Sequence, residues 1–390
     1  MQAACSIAAP FLPYKNPKII NNAKDIADII AQNGKKKPLI VTGKTVFSSG
    51  LTKGTERALK EKGLEFCVYD RVVANPTAGN VGEALEIYKS EGCDCLIAFG
   101  GGSPMDCAKA VGAMIARPEK TLNGLGGVMK VRKKIPLLIA VPTTAGSGSE
   151  TTLASVIVDD KTRRKYAVSD FNLIPPYAVL DEQLILSLPK SVAATTGMDA
   201  LTHAIEAFVG RSGNKSARAD ALEAIKLIFD NLEIFCFEKT GESARNMLVA
   251  SHKAGRAFSR SYVGYVHALS HTISGKYDVA HGLANAVILP IVLREYAKSV
   301  HKKLWEIAKY CNLADGNTPR EVAAERVISR IEELNGRLSI PQKLEGIRRK
   351  DIPELAAYAD REANPLYPVP VLWDKKKLAQ MYEKFCKIAD

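Results

Sequence analysis

The chain lacks the long apolar stretches and the cysteine patterns that mark membrane and secreted proteins. No run of about 18 apolar residues, the length needed to cross a bilayer, occurs in the sequence. Residues 1–10 show neither a basic start nor a long apolar core, so we expect no signal peptide. The eight cysteines are scattered without zinc-finger or disulfide-framework spacing. These absences predict a cytoplasmic protein with reduced thiols and no membrane partner.

Basic residues are in excess, but they are not gathered into one patch. The formal net charge is +12, which is compatible with a nucleic-acid or small anionic partner. The basic clusters are short, dispersed and without interleaved aromatic residues: 35–37, 132–134, 163–165, 348–350 and 375–377. This pattern favours solvated helix ends and loops, so we predict no nucleic-acid partner.

The pattern of apolar residues changes once along the chain, whose 390 residues exceed what one hydrophobic core usually supports. Up to residue 188, short β-branched runs alternate with helical segments, which predicts an α/β domain with a parallel, Rossmann-like sheet. From residue 189 the apolar spacing is helical nearly throughout. We therefore predict an α/β domain over residues 1–188 and an all-α domain over residues 189–390.

The predicted strands of the α/β domain set its ligand-binding edge. Compact apolar runs predict the strands 38–42, 66–69, 95–99, 137–141 and 178–180, after a short strand and a helix within 16–33. Residues 154–158 and 164–168 predict a hairpin that carries Lys165. Parallel sheets of this kind bind ligands at the carboxyl ends of their strands, so the loops there are the candidates for a site.

The glycine-rich motif G-G-G-S-P-M-D-C-A-K follows one of these strands and opens a helix. Gly101 and Gly102 would let the backbone approach a phosphate, and the free N–H groups of the helix start would bind it. Ser103 is predicted as the N-cap and Asp106 as the third helical residue. We favour a pyrophosphate site, although a tight turn is the alternative. The motif is not G-x-G-x-x-G, so it does not assign a standard dinucleotide fold.

A second loop, V-P-T-T-A-G-S-G-S-E, follows the strand 137–141 and is rich in hydroxyl groups. Thr143, Thr144 and Ser147 are candidates to line a ribose or nicotinamide site, while an ordinary Ser/Thr loop is the alternative. Thr152 and Lys165 complete the candidate cofactor-binding residues. Together the two loops predict that residues 1–188 form a dinucleotide-binding domain.

Histidines are few, and their positions are uneven. Five of the six lie between residues 203 and 281, and four of these, at 203, 267, 271 and 281, are candidate site residues. Asp199 and His203 are four residues apart in a helical run, which puts both side chains on one helix face. His267 and His271 repeat this spacing, and His281 follows. A carboxylate with several imidazoles and no nearby cysteine suits Fe²⁺ or Zn²⁺, whereas ordinary buried core histidines are the alternative.

Four motifs together resemble the iron-dependent, group III alcohol dehydrogenase family over about residues 38–365. They read G-G-G-S-P-M-D-C-A-K, P-T-T-A-G-S-G-S-E, G-M-D-A-L-T-H-A-I-E and V-H-A-L-S-H…H-G-L-A-N-A. The resemblance implies metal ligation by Asp199, His203, His267 and His281, with His271 beside the substrate. It also implies a homodimer that transfers hydride between a small primary alcohol or aldehyde and NAD or NADP.

The resemblance carries a mechanism and leaves alternatives open. In it the metal acts as a Lewis acid on the alcohol or carbonyl oxygen, and His271 relays the proton. A packing role for His271 is nearly as well supported. A zinc-dependent polyol dehydrogenase, a dehydroquinate-synthase-like lyase and a nucleic-acid binder remain the competing functions.

Two departures from the family pattern bear on specificity. Gly43 stands where NAD-preferring members commonly have Asp, and Lys44 follows it, which favours NADP or dual use. Arg260 and Tyr262 stand where many relatives have small or amide residues. They are candidate substrate contacts, with Arg260 able to pair with an acidic substrate; an ordinary helix-surface arginine is the alternative.

Overall fold

The computed structural model of the chain describes residues 13–162 and 165–389. It divides into two compact units, one formed by Pro13–Ser187 and the other beginning at Leu188. The boundary expected from the sequence, after residue 188, differs from this division by one residue. Within the described residues, no helix combines the length and apolar character required to cross a bilayer.

The first unit contains nine strands among its described residues. They are β1 (Lys18–Ile20), β2 (Pro38–Val41), β3 (Cys67–Tyr69), β4 (Cys95–Gly100), β5 (Gly127–Val128), β6 (Leu137–Pro142), β7 (Ala154–Val158), β8 (Lys165–Ser169) and β9 (Tyr177–Val179). Six of them form a parallel sheet in the order β1-β9-β6-β4-β2-β3. The strand β8 pairs antiparallel with β7 and parallel with β5, so the predicted hairpin is confirmed.

The helices of this unit cover both faces of the large sheet. They are α1 (Ile26–Gln32), α2 (Lys44–Ser48), α3 (Lys53–Glu61), α4 (Ala78–Ser90), α5 (Gly102–Ala116) and α6 (Leu122–Leu125). Along β2, Leu39 and Val41 pack with residues of α4 and α5, whereas Ile40 packs with residues of α1 and α3. Because both faces are buried, the strands are continuous apolar runs, which made them recognisable in the sequence.

The second unit is helical, with one small sheet. Its helices are α7 (Lys190–Val209), α8 (Lys215–Phe237), α9 (Gly241–Ser261), α10 (Tyr265–Tyr277), α11 (His281–Tyr296), α12 (Lys298–Tyr310), α13 (Arg320–Arg337), α14 (Ile352–Ala363) and α15 (Lys375–Phe385). Two short parallel strands, β10 (Leu344–Arg348) and β11 (Cys386–Ala389), were not predicted and add to the expected all-α fold. Every residue of α7 from Gly197 to Val209 is buried, so this helix forms the centre of the unit.

Candidate metal centre and cofactor-binding loops

The structure brings the four predicted metal ligands together within the helical unit. Asp199 and His203 lie on the buried part of α7, with His203 Nδ1 3.8 Å from Asp199 Oδ2. His267 on α10 and His281 at the start of α11 point their Nε2 atoms at Asp199 Oδ1, from 4.0 Å and 3.6 Å. Three imidazoles from three helices thus lie around the two oxygens of one carboxylate.

A glycine allows this convergence. A Cβ atom at Gly282 would lie 2.3 Å from the carbonyl oxygen of Thr195 and 3.3 Å from Cβ of Asp199. Such a contact with backbone is far inside van der Waals distance, so only glycine lets the start of α11 lie against α7. The close approach places His281, the preceding residue, beside Asp199.

Asn285 lies one turn after His281, and its role was missed in the sequence. Its Nδ2 donates to Asp199 Oδ1 at 2.7 Å and lies 3.1 Å from His281 Nε2 and 3.3 Å from His267 Nε2. In the sequence, the feature that could have indicated a role for Asn285 is its four-residue spacing from His281, which equals the spacing of Asp199 and His203. Three acceptor atoms therefore surround one amide nitrogen, a position that favours positive charge.

The donor set fits a divalent metal ion. Burial lowers the pKa of His203 and, more strongly, that of His267, so both rings are neutral at neutral pH. His203 Nδ1 is buried and has no hydrogen-bond partner within the described part of the chain. Neutral imidazole nitrogens and one carboxylate are suitable ligands for Fe²⁺ or Zn²⁺. The ligand atoms of Asp199, His203 and His267 lie within 4.8 Å of one another.

His267 contacts a second carboxylate through its other nitrogen. Its Nδ1 lies 2.6 Å from Oε2 of Glu206, a buried residue three positions after His203 on α7. The backbone N–H groups of Gly264 and Val266 donate to the same carboxylate. We did not identify Glu206 from the sequence, because its partners lie about 60 residues further along the chain.

His271 also pairs with a carboxylate, but at the exposed side of the cluster. Its Nδ1 lies 2.6 Å from Glu362 Oε1, and the hydroxyl of Tyr367 donates to that oxygen at 2.7 Å. Although burial works to raise the pKa of Glu362, His271 and Tyr367 hold it below its usual value, so Glu362 is ionised. The ring of His271 stacks on that of His281 with centroids 5.0 Å apart. His271 is therefore adjacent to the ligand cluster.

The two candidate substrate residues lie at the end of α9. Arg260 Nη1 is 3.6 Å from Asp220 Oδ2 on α8, and 10% of the Arg260 side chain is exposed. Arg256 pairs with the same carboxylate at 3.1 Å, so Arg260 belongs to an ion cluster between two helices. Tyr262 ends α9 with a positive φ of 63° and is 48% exposed. These contacts give Arg260 an acidic partner within the protein.

The glycine-rich helix α5 begins earlier than expected. Its N-cap is Gly101 and its first residue is Gly102, so the predictions of Ser103 as N-cap and Asp106 as third helical residue are wrong. The Ser103 hydroxyl instead accepts a hydrogen bond from the N–H of Asn75. Asp106, inside the helix, accepts from Ser149 Oγ and from the N–H of Val156, both at 3.1 Å. Both side chains thus join α5 to neighbouring segments.

The two predicted cofactor loops meet at the start of α5. A Cβ atom at Gly101 would lie 3.3 Å from Thr144 Oγ1, and one at Gly102 would lie 3.3 Å from Ser147 Oγ. Side chains at either glycine would fill the space between the loops. The free N–H groups of the helix start lie here, and together with two hydroxyl groups they fit a pyrophosphate. Thr143 joins the loops by donating its N–H to the Gly100 carbonyl at 3.0 Å.

A buried lysine holds the second loop in place. Lys109 Nζ donates to the carbonyl oxygens of Ser149, Thr152 and Ala154, and contacts the hydroxyl groups of Ser149 and Thr152. Thr152 is thus a structural contact of this turn as well as a predicted cofactor residue. The sequence marked Lys109 only as the end of the glycine-rich motif.

The remaining cofactor candidates lie near the carboxyl ends of the strands. Lys165 Nζ donates to Asn75 Oδ1 at 2.7 Å. Gly43 follows β2 and is the N-cap of α2, and a Cβ atom there would lie 3.1 Å from the carbonyl oxygen of Val72. There is little room for a side chain at position 43.

Comparisons with known proteins agree on one family. The model for the iron-containing alcohol dehydrogenases matches residues 17–182, and that for the C-terminal region of the Fe-containing alcohol dehydrogenase family matches residues 193–386. The 1,3-propanediol dehydrogenase of Citrobacter freundii is 35% identical over 356 residues, covering 90% of this chain and 92% of that protein. The NAD-dependent methanol dehydrogenase of Bacillus methanolicus is 34% identical over 339 residues, covering 86% of this chain and 89% of that protein.

Similarity in structure extends over nearly the whole chain. A crystal structure of 1,3-propanediol oxidoreductase has a TM-score of 0.90 at 32% identity, covering 95% of this chain and 97% of that one. The chain therefore belongs to the iron-containing alcohol dehydrogenase family. It is an oxidoreductase that interconverts alcohols and aldehydes with a nicotinamide cofactor. The predicted fold class and reaction class are confirmed.

Proposed function

We propose that Asp199, His203, His267 and His281 hold a divalent iron ion, and that the enzyme acts on small primary alcohols and their aldehydes. The observation that carries this is the approach of three histidines from three helices to the Asp199 carboxylate, at 3.6–4.0 Å. Zinc is the other ion that this donor set would accept. The relatives named for 1,3-propanediol and methanol support a small, neutral substrate.

In this proposal, His271 moves the proton of the reaction. The bound metal supplies Lewis-acid polarisation of the alcohol or aldehyde oxygen, while the nicotinamide carries the hydride. His271 keeps its Nδ1 contact with Glu362, and in this proposal its Nε2 exchanges the proton with the substrate. The ionised Glu362 stabilises the ring when it becomes positively charged.

Metal binding by the full-length protein tests the ligand set. After anaerobic purification and loading, the wild type should bind about one equivalent of iron and reduce short aldehydes. Asp199→Ala should weaken binding by more than about 100-fold, beyond the effect typical of residues that only support a ligand. Asp230→Ala, which removes an exposed carboxylate from α8, is the control and should leave binding unchanged. Equal metal binding by wild type and Asp199→Ala would contradict the assignment.

We also propose that NADPH is accepted at least as well as NADH. The absence of a carboxylate at Gly43 and the neighbouring Lys44 support tolerance of a 2′-phosphate. Gly43→Asp should lower the ratio of kcat/KM for NADPH over NADH by about 10-fold or more, equivalent to about 1.4 kcal/mol. Gly54→Asp adds the same charge on α3 in open space and should leave the ratio unchanged. A much lower KM of the wild type for NADH would contradict the proposal.

The homodimer and the cytoplasmic location implied by the family resemblance stay predictions. Analytical ultracentrifugation of the loaded protein should give a mass close to twice that of the chain, which is 42.3 kDa. A monomeric mass at micromolar concentration would contradict the dimer.

A further inference from the structure

Glu206 lies outside the proposed ligand set, yet its carboxylate contacts the start of the helix that carries His267. It is on α7, three residues after His203, and 3% of its side chain is exposed. Burying a carboxylate costs several kcal/mol unless it is hydrogen-bonded or paired. The hydrogen-bond partners of Glu206 must therefore compensate for the burial of its carboxylate.

Both oxygens of Glu206 accept hydrogen bonds from residues 264–267. The N–H of Gly264 donates to Oε2 and the N–H of Val266 donates to Oε1, each at 2.8 Å. These are the N-cap and the second residue of α10, whose first N–H groups have no partners within their own helix. Glu206 thus satisfies the start of α10 from a neighbouring helix and attaches it to the helix of Asp199 and His203.

The third contact of the carboxylate determines what His267 presents to a metal. His267 Nδ1 lies 2.6 Å from Glu206 Oε2. An ionised carboxylate can only accept, so in the proposed arrangement the imidazole donates its Nδ1–H to Glu206. Its Nε2 then carries the lone pair, and this atom faces Asp199 Oδ1. The contact also holds the ring against rotation.

We propose that Glu206 is a positioning residue that sets metal affinity by fixing the tautomer and the orientation of His267. The inference rests on the ligand set of the proposed function. Residues that hold the outer nitrogen of a histidine ligand typically change metal affinity by about 10- to 100-fold. Glu206 additionally places the helix, so its removal affects both the position and the chemistry of one ligand.

Gly264 offers a second, independent way to disturb the same contact. A Cβ atom there would lie 2.7 Å from Glu206 Oε1 and 3.2 Å from its Cδ. Gly264→Ala would therefore displace the carboxylate without changing any proposed ligand. The two variants are 58 positions apart in the chain and share only the Glu206 carboxylate.

The experiment compares Zn²⁺ and Co²⁺ affinity of full-length variants by chelator competition, with thermal unfolding measured in parallel. Glu206→Gln and Gly264→Ala should each raise the dissociation constant by about 10- to 100-fold. The visible spectrum of bound Co²⁺ should shift in both, because one imidazole has moved. If Glu206→Gln does not fold, Gly264→Ala and the shorter Glu206→Asp supply the same measurements.

Asn214→Ala is the matched control, because it removes the side chain that caps α8 without touching His267. It should lower Tm and leave the dissociation constant and the Co²⁺ spectrum at their wild-type values. Wild-type affinity and spectrum in both Glu206→Gln and Gly264→Ala, with Asp199→Ala deficient, would overturn the inference and leave Glu206 a helix cap. Undiminished binding by Asp199→Ala would instead overturn the ligand set, and with it this inference.

Discussion

Two histidines one turn apart on α10 each contact a glutamate through Nδ1, and they differ in their surroundings. The His267–Glu206 and His271–Glu362 contacts are both 2.6 Å long. In the first pair, 2% and 3% of the side chains are exposed; in the second, 34% and 32%. The same hydrogen bond therefore serves two purposes. Burial on all sides suits the ligand role proposed for His267, while partial exposure suits the proton-transfer role proposed for His271.

The difference arises from the helices that supply the two carboxylates. Glu206 comes from α7, which is buried throughout its second half and carries Asp199 and His203. Glu362 comes from α14, an amphipathic helix with one face towards solvent. His267 is thereby tied to the proposed metal ligands, and His271 is tied to a surface element. We expect variants of the two histidines to separate metal binding from turnover.

The largest effect is expected for His267→Ala. Losing a buried ligand leaves Asp199 and two imidazoles, and it also removes one of the three contacts of the buried Glu206 carboxylate. Metal affinity should fall by more than about 100-fold, the upper end for residues that merely support a ligand, and aldehyde reduction should be lost at ordinary metal concentrations. Metal content by atomic emission and chelator competition measure the change. Full metal occupancy in this variant would show that His267 is not a ligand, and the proposed difference in function between the His267–Glu206 and His271–Glu362 pairs would be lost.

A smaller and different effect is expected for His271→Ala. The metal should remain bound, while kcat should fall by about 10²- to 10⁴-fold, the range for a positioned proton-transfer group. Steady-state kinetics on protein of verified metal content checks this. Metal loss comparable to that of His267→Ala would assign His271 to the ligands and contradict the proton-transfer role.

The smallest effects are expected for the partners of His271. Glu362→Gln keeps an oxygen that can accept from His271 and Tyr367 but removes the charge, so kcat should fall by about 10-fold with metal retained. Tyr367→Phe removes the hydrogen bond from its hydroxyl to the ionised Glu362, but His271 keeps its charged partner, so kcat should change by only a few-fold. A loss as large as that of His271→Ala would show that Glu362 does more than orient and stabilise the ring.

The features that the sequence predicted correctly are those encoded locally. The proximity of Asp199 and His203 was predicted because their spacing is that of one helix face. The strands around 95–99 and 137–141 were found because burial on both faces makes them continuous apolar runs. The capping role of Ser103 was predicted wrongly. The backbone turns at Gly100, and the helix begins at Gly102, two positions before the predicted first helical residue.

Features that depend on distant residues were missed. Glu206 looked like an ordinary helical glutamate, because its partners Gly264, Val266 and His267 are about 60 positions away. The ion pair of Arg260 with Asp220 on the neighbouring helix was likewise not predicted, and its role as a substrate contact stays a prediction. No spacing rule within one helix reveals which residues a second helix brings alongside.

Gly282 makes the proposed ligand set sensitive to a position that binds nothing. Because a side chain there would meet the backbone of Thr195, any replacement pushes α11 outward and carries His281 away from Asp199. In a library selected for altered metal preference, position 282 should therefore stay glycine even while the surrounding positions vary. We expect variants with altered metal preference to differ in the ligand side chains. The spacing between α7 and α11 should stay the same, because only the hydrogen atom of a glycine side chain fits between them at position 282.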